Sequence, residues 1–214
     1  MNDLWSGRAQ AFRESDVHRH GADLELLVQW ASGAQTALDV ASGGGHVARR
    51  LRDAGLEVVS SDPAPGMEPD VICRAEDLPF AAESFDVVAC RRAAHHFADV
   101  RAALGEMTRV SRSLVVIEDL LYDGEEAEKA QRLRDPTHVR SYTEAEWRDL
   151  FEGAGLEVED VELFAGRALD FQRWLERVDC RGADAERVRE LLGDRVEAGR
   201  VRMPGIALKG RKAP

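Results

Sequence analysis

The stretch Ala37-Leu-Asp-Val-Ala-Ser-Gly-Gly-Gly-His-Val-Ala-Arg-Arg-Leu51 decides the fold. Thr36–Ala41 reads as a buried strand, the glycines as a turn, and Val47–Ala54 as a helix. Gly43 and Gly45 tolerate the backbone angles of a sharp turn, and a side chain at either would occupy the space of a ligand. The helix starting near Gly45 points free N–H groups into the same space. An α/β sheet holds a nucleotide-like cofactor in this way.

Working outward, the short apolar runs Leu56–Ser61, Val71–Cys73, Phe85–Cys90 and Leu114–Glu118 predict further strands. Val100–Val110 and Glu144–Ala154 predict helices between and after them. Strands alternating with helices argue for a parallel sheet covered on both faces. Gly55 and Gly155 sit where a C-cap glycine belongs. Thr143 followed by Glu146 is a capping-box signature for the helix carrying Trp147. Gly124–Lys129 reads as a solvated helix start. Beyond Glu157–Phe164 the pattern changes. Asp170–Val178 and Ala185–Ala198 predict amphipathic helices rich in Arg and Glu, and Val201–Lys209 a final strand. Pro204 places that strand at an edge or marks a strand end.

Two connections are short. Asp62 to Val71 leaves less than the roughly dozen residues of a parallel crossover, so the helix there is one turn or absent. Arg109–Leu114 is also tight. The fold is a trimmed one, with a shorter wall beside the cofactor pocket.

A chain of 214 residues suits one domain with a sizeable core. Its net charge of -11 argues against binding a phosphate backbone, so no nucleic-acid partner is expected. Cys73, Cys90 and Cys180 lack metal-ligand spacing and read as small core residues in a reducing compartment. Met1–Arg8 contains no apolar signal core and no segment has the length of a membrane span, so a cytoplasmic protein without a membrane partner is the expectation. Trp5, Trp30, Trp147 and Trp174 are too scattered for a base-stacking platform and read as core or lid anchors. No metal site is expected: His95 and His96, adjacent on a turn, do not easily face one ion, and no third ligand has recognisable spacing. There is no Gly-x-Ser-x-Gly elbow for a hydrolase.

Gly43, Gly45 and Ala48 fit the loose dinucleotide pattern, and Asp62 ends the next strand, where it binds ribose hydroxyls in a dinucleotide enzyme or a methyltransferase alike. These two features point to a ribose-bearing cofactor more than to its identity; the plainer alternative is a tight turn and a solvated aspartate. The discriminating segment is Ala75-Glu-Asp-Leu-Pro-Phe-Ala-Ala-Glu-Ser-Phe-Asp-Val-Val-Ala-Cys90: an acidic pair, Leu-Pro-Phe, then an acidic turn into a strand opening Phe-Asp. Here the chain resembles class I S-adenosylmethionine-dependent methyltransferases, in particular the small bacterial branch related to the ubiquinone/menaquinone-biosynthesis methyltransferases. The likeness continues through Cys90-Arg-Arg-Ala-Ala-His-His-Phe-Ala-Asp99, Arg132-Leu-Arg-Asp-Pro-Thr-His-Val-Arg140 and Glu146-Trp147. Ser15-Asp-Val-His18 with Asp23-Leu24, and Ile206–Lys212, extend it over nearly the whole chain.

The resemblance implies a doubly wound, Rossmann-like, mostly parallel sheet of about seven strands, the last antiparallel. It implies N-terminal lid helices over 1–34, a cofactor-binding core over 35–164, a helical cap over 165–200, and a final strand and tail over 201–214. It also implies S-adenosylmethionine as cofactor, S-adenosylhomocysteine as product, and in-line methyl transfer to a small-molecule acceptor through O, N or C. Asp39, Ala41, Ser42, Gly43 and Gly45 match the motif around the methionine part of the cofactor. Asp62 matches the residue that accepts from the ribose hydroxyls, and Pro63 and Met67 would flank the adenine. The Ala75-Glu76-Asp77 turn would meet the adenine edge, and Arg91 begins the loop beside the sulfonium. The chain departs from the family at Ala41, where many relatives have glycine. At Arg74 many relatives carry the adenine-binding aspartate, which moves that contact to Glu76 or Asp77. The turn before Leu114 also lacks the usual Pro-Gly-Gly.

His95 and His96 follow the carboxyl end of the fourth strand, where open α/β sheets bind ligands. An imidazole there is suited to accept a proton, and the plainer role is packing or capping. Asp135, His138, Arg140 and Tyr142 precede the capped helix and either orient an acceptor or close the pocket as a salt-bridged lid, with His138 the further candidate base. His18 belongs to the N-terminal lid, where His20 reads as solvated. The rival readings are a binding or regulatory protein on the same fold, a non-methylating tailoring enzyme, and an NAD(P)-dependent oxidoreductase. The last is disfavoured because no Tyr-x-x-x-Lys pair appears.

Overall fold

Ala37, Leu38 and Val40 are buried on both faces of their strand, and a strand of this kind needs cover on two sides. The computed structural model describes residues 2–212 and provides that cover. The chain begins with helices α1 (Asn2–Arg13), α2 (Asp16–Arg19) and α3 (Ala22–Trp30). It then runs through β1 (Thr36–Val40), α4 (His46–Asp53), β2 (Glu57–Asp62), β3 (Val71–Ile72), β4 (Phe85–Arg91), α5 (Val100–Val110) and β5 (Ser111–Leu120). Helices α6 (Glu125–Arg134) and α7 (Glu144–Gly153) lead into β6 (Leu156–Phe164). An insertion of β7 (Leu169–Asp170), α8 (Phe171–Glu176), α9 (Gly182–Leu192), β8 (Val196–Glu197) and β9 (Arg200–Val201) precedes β10 (Gly205–Lys212).

The main sheet has seven strands in the order β3-β2-β1-β4-β5-β10-β6. β1 pairs in parallel with β2 and β4, β2 with β3, and β4 with β5, while β10 runs antiparallel to β5 and β6. This is the doubly wound sheet with a reversed last strand that the sequence led us to expect. One face is covered by α5 and α7, around Leu104, Met107, Trp147 and Phe151. The other is covered by α3 and α4, around Leu24, Leu27, Val47 and Leu51. The insertion has its own apolar cluster, Phe171, Trp174, Leu175, Val188 and Leu192, closed against Ala127 and Ala130 of α6.

Local signals hold where they are chemical. Thr143 Oγ1 accepts from the Glu146 N–H at 3.2 Å and Glu146 Oε2 accepts from the Thr143 N–H at 2.9 Å, completing the capping box. The β2–β3 connection is a single 3₁₀ turn, Pro65–Met67, and β3 adds only two residues. Helix α1 packs where a longer crossover would lie: the Gly66 N–H donates to Ser6 Oγ at 3.0 Å, and Arg13 Nη1 donates to the Gly66 carbonyl at 2.9 Å.

Several local readings differ from expectation. The helix expected over Ala185–Ala198 stops at Leu192, where Gly193 takes a φ of +50°. Ala198 and Gly199, with φ of 48° and 72°, then form the two-residue turn of a hairpin joining β8 to β9. With β7 this makes a small three-stranded sheet, so Val201 belongs there and the final strand begins at Gly205. That strand is internal, between β5 and β6. Pro204 lies just ahead of it and offers only its carbonyl, which accepts from the Leu121 N–H at 3.0 Å. Finally, β5 starts directly after α5 at Ser111, and α6 turns Glu128 inward rather than to solvent.

The approach of β10 to α7 is limited by glycine. A Cβ on Gly210 would lie 2.5 Å from Cδ1 of Phe151, whose ring is fully buried. Gly210→Ala is therefore expected to cost about 1–3 kcal/mol through overpacking, read as a lower urea midpoint with an unchanged slope.

Candidate functional site

The carboxyl ends of β1, β2 and β4 meet at the glycine turn. The Ser42 N–H donates to the Ser61 carbonyl at 2.9 Å, and the Gly45 N–H closes the turn on the Ser42 carbonyl at 2.9 Å. Ala41, Gly43 and Gly45 all have left-handed φ, of 54°, 50° and 71°. At Ala41 this conformation strains a residue with a Cβ. A Cβ on Gly43 or Gly45 would meet nothing within 4 Å, so those glycines serve the backbone angle and leave space beside the turn. Gly44 serves closeness instead: a Cβ there would lie 2.8 Å from His46 Nε2 and 3.0 Å from the Phe12 carbonyl of α1.

Two aspartates hold the turn. Asp39 Oδ2 accepts from the Ala48 N–H at 2.9 Å, joining β1 to the first turn of α4. Asp62 Oδ2 accepts from the Gly43 N–H at 3.0 Å and its Oδ1 from the Ala64 N–H at 2.9 Å. Burial raises the pKa of Asp39 to about 7; the Ala48 hydrogen bond opposes the rise and the nearby Asp62 charge adds to it. Burial likewise raises Asp62, against its two backbone hydrogen bonds.

A cavity of about 200 Å³ opens beside the turn. Of the residues expected at a cofactor, Asp39, Ala41, Ser42, Gly43, Asp62, Pro63, Met67, Glu76 and Arg91 line it, with His18 and His96. Gly45 lies behind it as the N-cap of α4, and Asp77 lies in the adjoining turn, its N–H donating to the Arg74 carbonyl at 3.2 Å. Arg74 lines the cavity with its guanidinium 3.2 Å from Glu76, and Glu76 also accepts from the Ala98 N–H at 3.1 Å. Trp5, read from the sequence as a core or lid anchor, also lines it, as do Phe12, His46, Arg92 and Phe97, which the sequence reading did not place there. The first two come from α1; His46 adjoins the glycines and donates from Nε2 to the Phe12 carbonyl at 2.9 Å.

The loop after β4 is fixed by a buried charge cluster. Arg91 donates to Asp23 through Nε at 2.9 Å and to the His18 carbonyl through Nη1 at 2.9 Å. Arg92 lies 3.3 Å from Glu118 and 3.6 Å from Asp23. The Arg91 guanidinium is thus engaged with the lid helices.

A second cavity, of about 70 Å³, shares Phe12, His18, Arg92 and His96 with the first. His95, Asp135 and His138 line it. The His95 ring hydrogen-bonds Asp119 through Nδ1, and the His95 backbone N–H donates to the same carboxylate at 2.8 Å. Burial opposes the Asp119 charge, yet the His95 ring and two backbone N–H groups hold its pKa below the ordinary value. His96 Nδ1 lies 3.0 Å from the Thr137 carbonyl and so carries the donating hydrogen; burial, then the His95 charge, lowers its pKa to about 3. His138 Nε2 lies 3.1 Å from Glu128, which also accepts from the Ser141 N–H. Asp135 pairs with Arg8 of α1 at 3.2 Å and accepts from Thr137 Oγ1 at 2.7 Å. Arg140 sits outside both cavities, paired with Glu146 and 4.9 Å over the ring of Tyr142, which is also outside them. His20 is exposed.

The methyltransferase-domain family matches residues 11–161. The chain is 32% identical over 213 residues to the uncharacterized methyltransferase YcgJ of Bacillus subtilis (strain 168), across 88% of this chain and 82% of that protein. The chain belongs to the methyltransferase family. A solved structure of YcgJ aligns with this methyltransferase at a TM-score of 0.81 and 25% identity, over 91% of this chain and 100% of that one. A solved structure of a Bacillus halodurans C-125 protein aligns at 0.80 and 27%, with the same coverage. The demethylmenaquinone methyltransferase of Renibacterium salmoninarum is 39% identical over 97 residues, 39% of this chain and 41% of that protein. The family match ends at residue 161, before the insertion that supplies Trp174 and Arg177 to the second cavity.

The raised pKa of Asp39 has a measurable consequence. Its value is 3.8 in an ordinary aspartate and about 7 here, so the folded methyltransferase binds more protons than the unfolded chain in that interval. Stability contributed by this group is lost as pH rises through the same window. Asp39→Asn keeps an acceptor for Ala48 and removes the titration. Between about pH 5 and about pH 7.5 the natural chain is expected to lose stability relative to Asp39→Asn, on the order of a few kcal/mol, in paired urea unfolding. Equal pH slopes would mean an unperturbed Asp39.

Proposed function

We propose that this methyltransferase moves the methyl group of S-adenosylmethionine to a small-molecule acceptor, with the cofactor in the larger cavity and the acceptor in the smaller. The observation that carries the reading is the cavity at the glycine turn: it offers open space beside Gly43 and Gly45, carboxylates at Asp39, Asp62 and Glu76, and apolar walls at Pro63, Met67 and Phe97. These residues fit a nucleoside with a charged tail. Asp62, whose two oxygens each accept one backbone N–H and keep a further lone pair, would take the ribose hydroxyls. Pro63 and Met67 would hold the adenine, and the Ser42–Gly43 backbone with Asp39 the methionine part. The bound cofactor supplies an electrophilic methyl group on a sulfonium.

The chain itself supplies position, dryness and a proton acceptor. Trp5 and Phe12 of α1 roof the cavity, their rings 5.4 Å apart, and exclude water from the reacting groups. Orientation of this kind accounts for several kcal/mol in a displacement reaction. His95 is the preferred base: Asp119 occupies Nδ1, which leaves the Nε2 lone pair for a proton from an acceptor hydroxyl or amine. His96 stays neutral and serves as a hydrogen-bond acceptor from the wall common to both cavities.

Isothermal titration is expected to show S-adenosylhomocysteine binding and NAD not binding, and Asp62→Ala to weaken the former by about 1.5–3 kcal/mol. NAD bound in its place would overturn the reading, and unchanged affinity in Asp62→Ala would remove that residue from the site. For an acceptor found by screening, His95→Gln is expected to lower kcat about 10²–10⁴-fold while the affinity for S-adenosylhomocysteine stays the same.

A further inference from the structure

The second cavity is lined by two guanidinium groups that have no carboxylate partner among the described residues. The carboxylates around it already have partners: Asp135 pairs with Arg8 at 3.2 Å, Glu128 with Arg132 at 3.3 Å and Glu118 with Arg92 at 3.3 Å, while Asp119 accepts hydrogen bonds from the His95 ring and from the His95 and Leu120 N–H groups. Two guanidinium groups in the lining remain. Arg134 and Arg177 have no carboxylate within 4.0 Å among the described residues. Arg134 is fixed in the wall, stacked 3.9 Å over the Trp174 ring with Nε and Nη2 donating to the Trp174 carbonyl at 3.1 and 3.0 Å. Its Nη1 has only a long contact, 3.5 Å, with Gln131 Oε1. The Arg177 guanidinium makes no hydrogen bond to the described residues.

Both arginines are half-buried, and removing an unpaired cation from water is unfavourable unless an anion meets it. Burial, then the charge of Arg92, lowers the pKa of Arg177; burial lowers that of Arg134, with Asp135 offsetting part. The positive field reaches the wall between the cavities, where burial, then Arg177, Arg92 and Arg91, keeps His18 uncharged. None of this follows from overall charge, since the chain carries -11 and repels anions at long range.

We propose that Arg134 and Arg177 anchor the methyl acceptor by a terminal oxyanion, so that the substrate class is small organic acids carrying a carboxylate or a phosphate. The assignment rests on the methyltransferase reading above. Both arginines line the second cavity and not the first, so an anchored acceptor extends its other end past His95 toward the wall shared with the cofactor cavity. The oxyanion is the handle and a different atom receives the methyl group, because an anion held by two guanidinium groups is a poor nucleophile.

The test uses the whole protein. S-adenosylhomocysteine is titrated first, which judges the cofactor reading by itself. The saturated protein is then titrated with benzoate, phenyl phosphate and neutral benzamide. At least one of the two anions is expected to bind tenfold or more tightly than benzamide, and the stronger of them names the oxyanion. Arg177→Met is expected to erase that preference and Arg177→Lys to retain it, both with less than a twofold change, by order-of-magnitude reasoning, in S-adenosylhomocysteine affinity. Benzamide binding as well as both anions, or a preference that survives Arg177→Met, overturns the proposal. If the cofactor product fails to bind, the same three probes on the free protein still decide the anion question. If Arg177→Met does not fold, the comparison of probes on the natural chain decides it.

Discussion

The site depends on one carboxylate bridging two turns. Asp62 accepts from Gly43 on one side and from Ala64 on the other, so the loop after β1 and the loop after β2 cannot move independently. The bridge is costly to build, because burial raises the pKa of this aspartate. It persists because two backbone donors would otherwise face the cavity without a protein partner. Asp39 does the same one turn deeper, at Ala48. The floor of the cavity is therefore set by backbone hydrogen bonds to two strand-end aspartates before any ligand arrives, which is the preorganisation that positional catalysis requires.

The roof is a consequence of what the fold has lost. With the β2–β3 crossover reduced to one 3₁₀ turn, α1 fills the vacated place, and it is tied down at separated points: Ser6 to Gly66, Phe12 to His46, and Arg8 to Asp135. The last of these joins the roof of the larger cavity to a loop beside the smaller. The Asp23–Arg91 pair anchors α2 and α3 to the end of β4 in the same manner. Each tie desolvates charges or polar groups that need their partners, so α1 is held as part of the site's wall.

The parts of this arrangement that were legible in the sequence are those written over short distances. Val and Leu runs gave β1, β2 and β4 their places, the glycines gave the turn, and Thr143 with Glu146 marked the start of α7. The order of the sheet and its reversed last strand came from likeness to relatives. Trp5 was read as a core or lid anchor; that it and Phe12 line this cavity depends on ties of α1 to Gly66 and His46, far along the chain. Asp119 was hidden inside a strand, and its pairing with His95 spans 24 residues. Glu128 had the composition of a solvated face and turns inward only because His138 and Ser141 meet it. The small second sheet failed for another reason: its strands are two residues long and rest on an Ala-Gly turn within a run that otherwise reads as helix.

The two cavities differ in the balance of charge in their walls. Three carboxylates, Asp39, Asp62 and Glu76, share the first with Arg74, Arg91 and Arg92, while the second sets Arg92, Arg134 and Arg177 against Asp135. A sulfonium is a cation, and a cation beside Asp39 favours the ionised form of a carboxylate that burial otherwise tends to protonate. For the proposed ligands, the second cavity, with three guanidinium groups and one carboxylate in its lining, favours an oxyanion over a sulfonium. The wall between them holds two imidazoles, His18 and His96, which burial, followed by neighbouring positive charge, keeps unprotonated, and Arg92, whose charge is met by Glu118 at 3.3 Å. The proposed cofactor and acceptor would meet across these few side chains, which both cavities share.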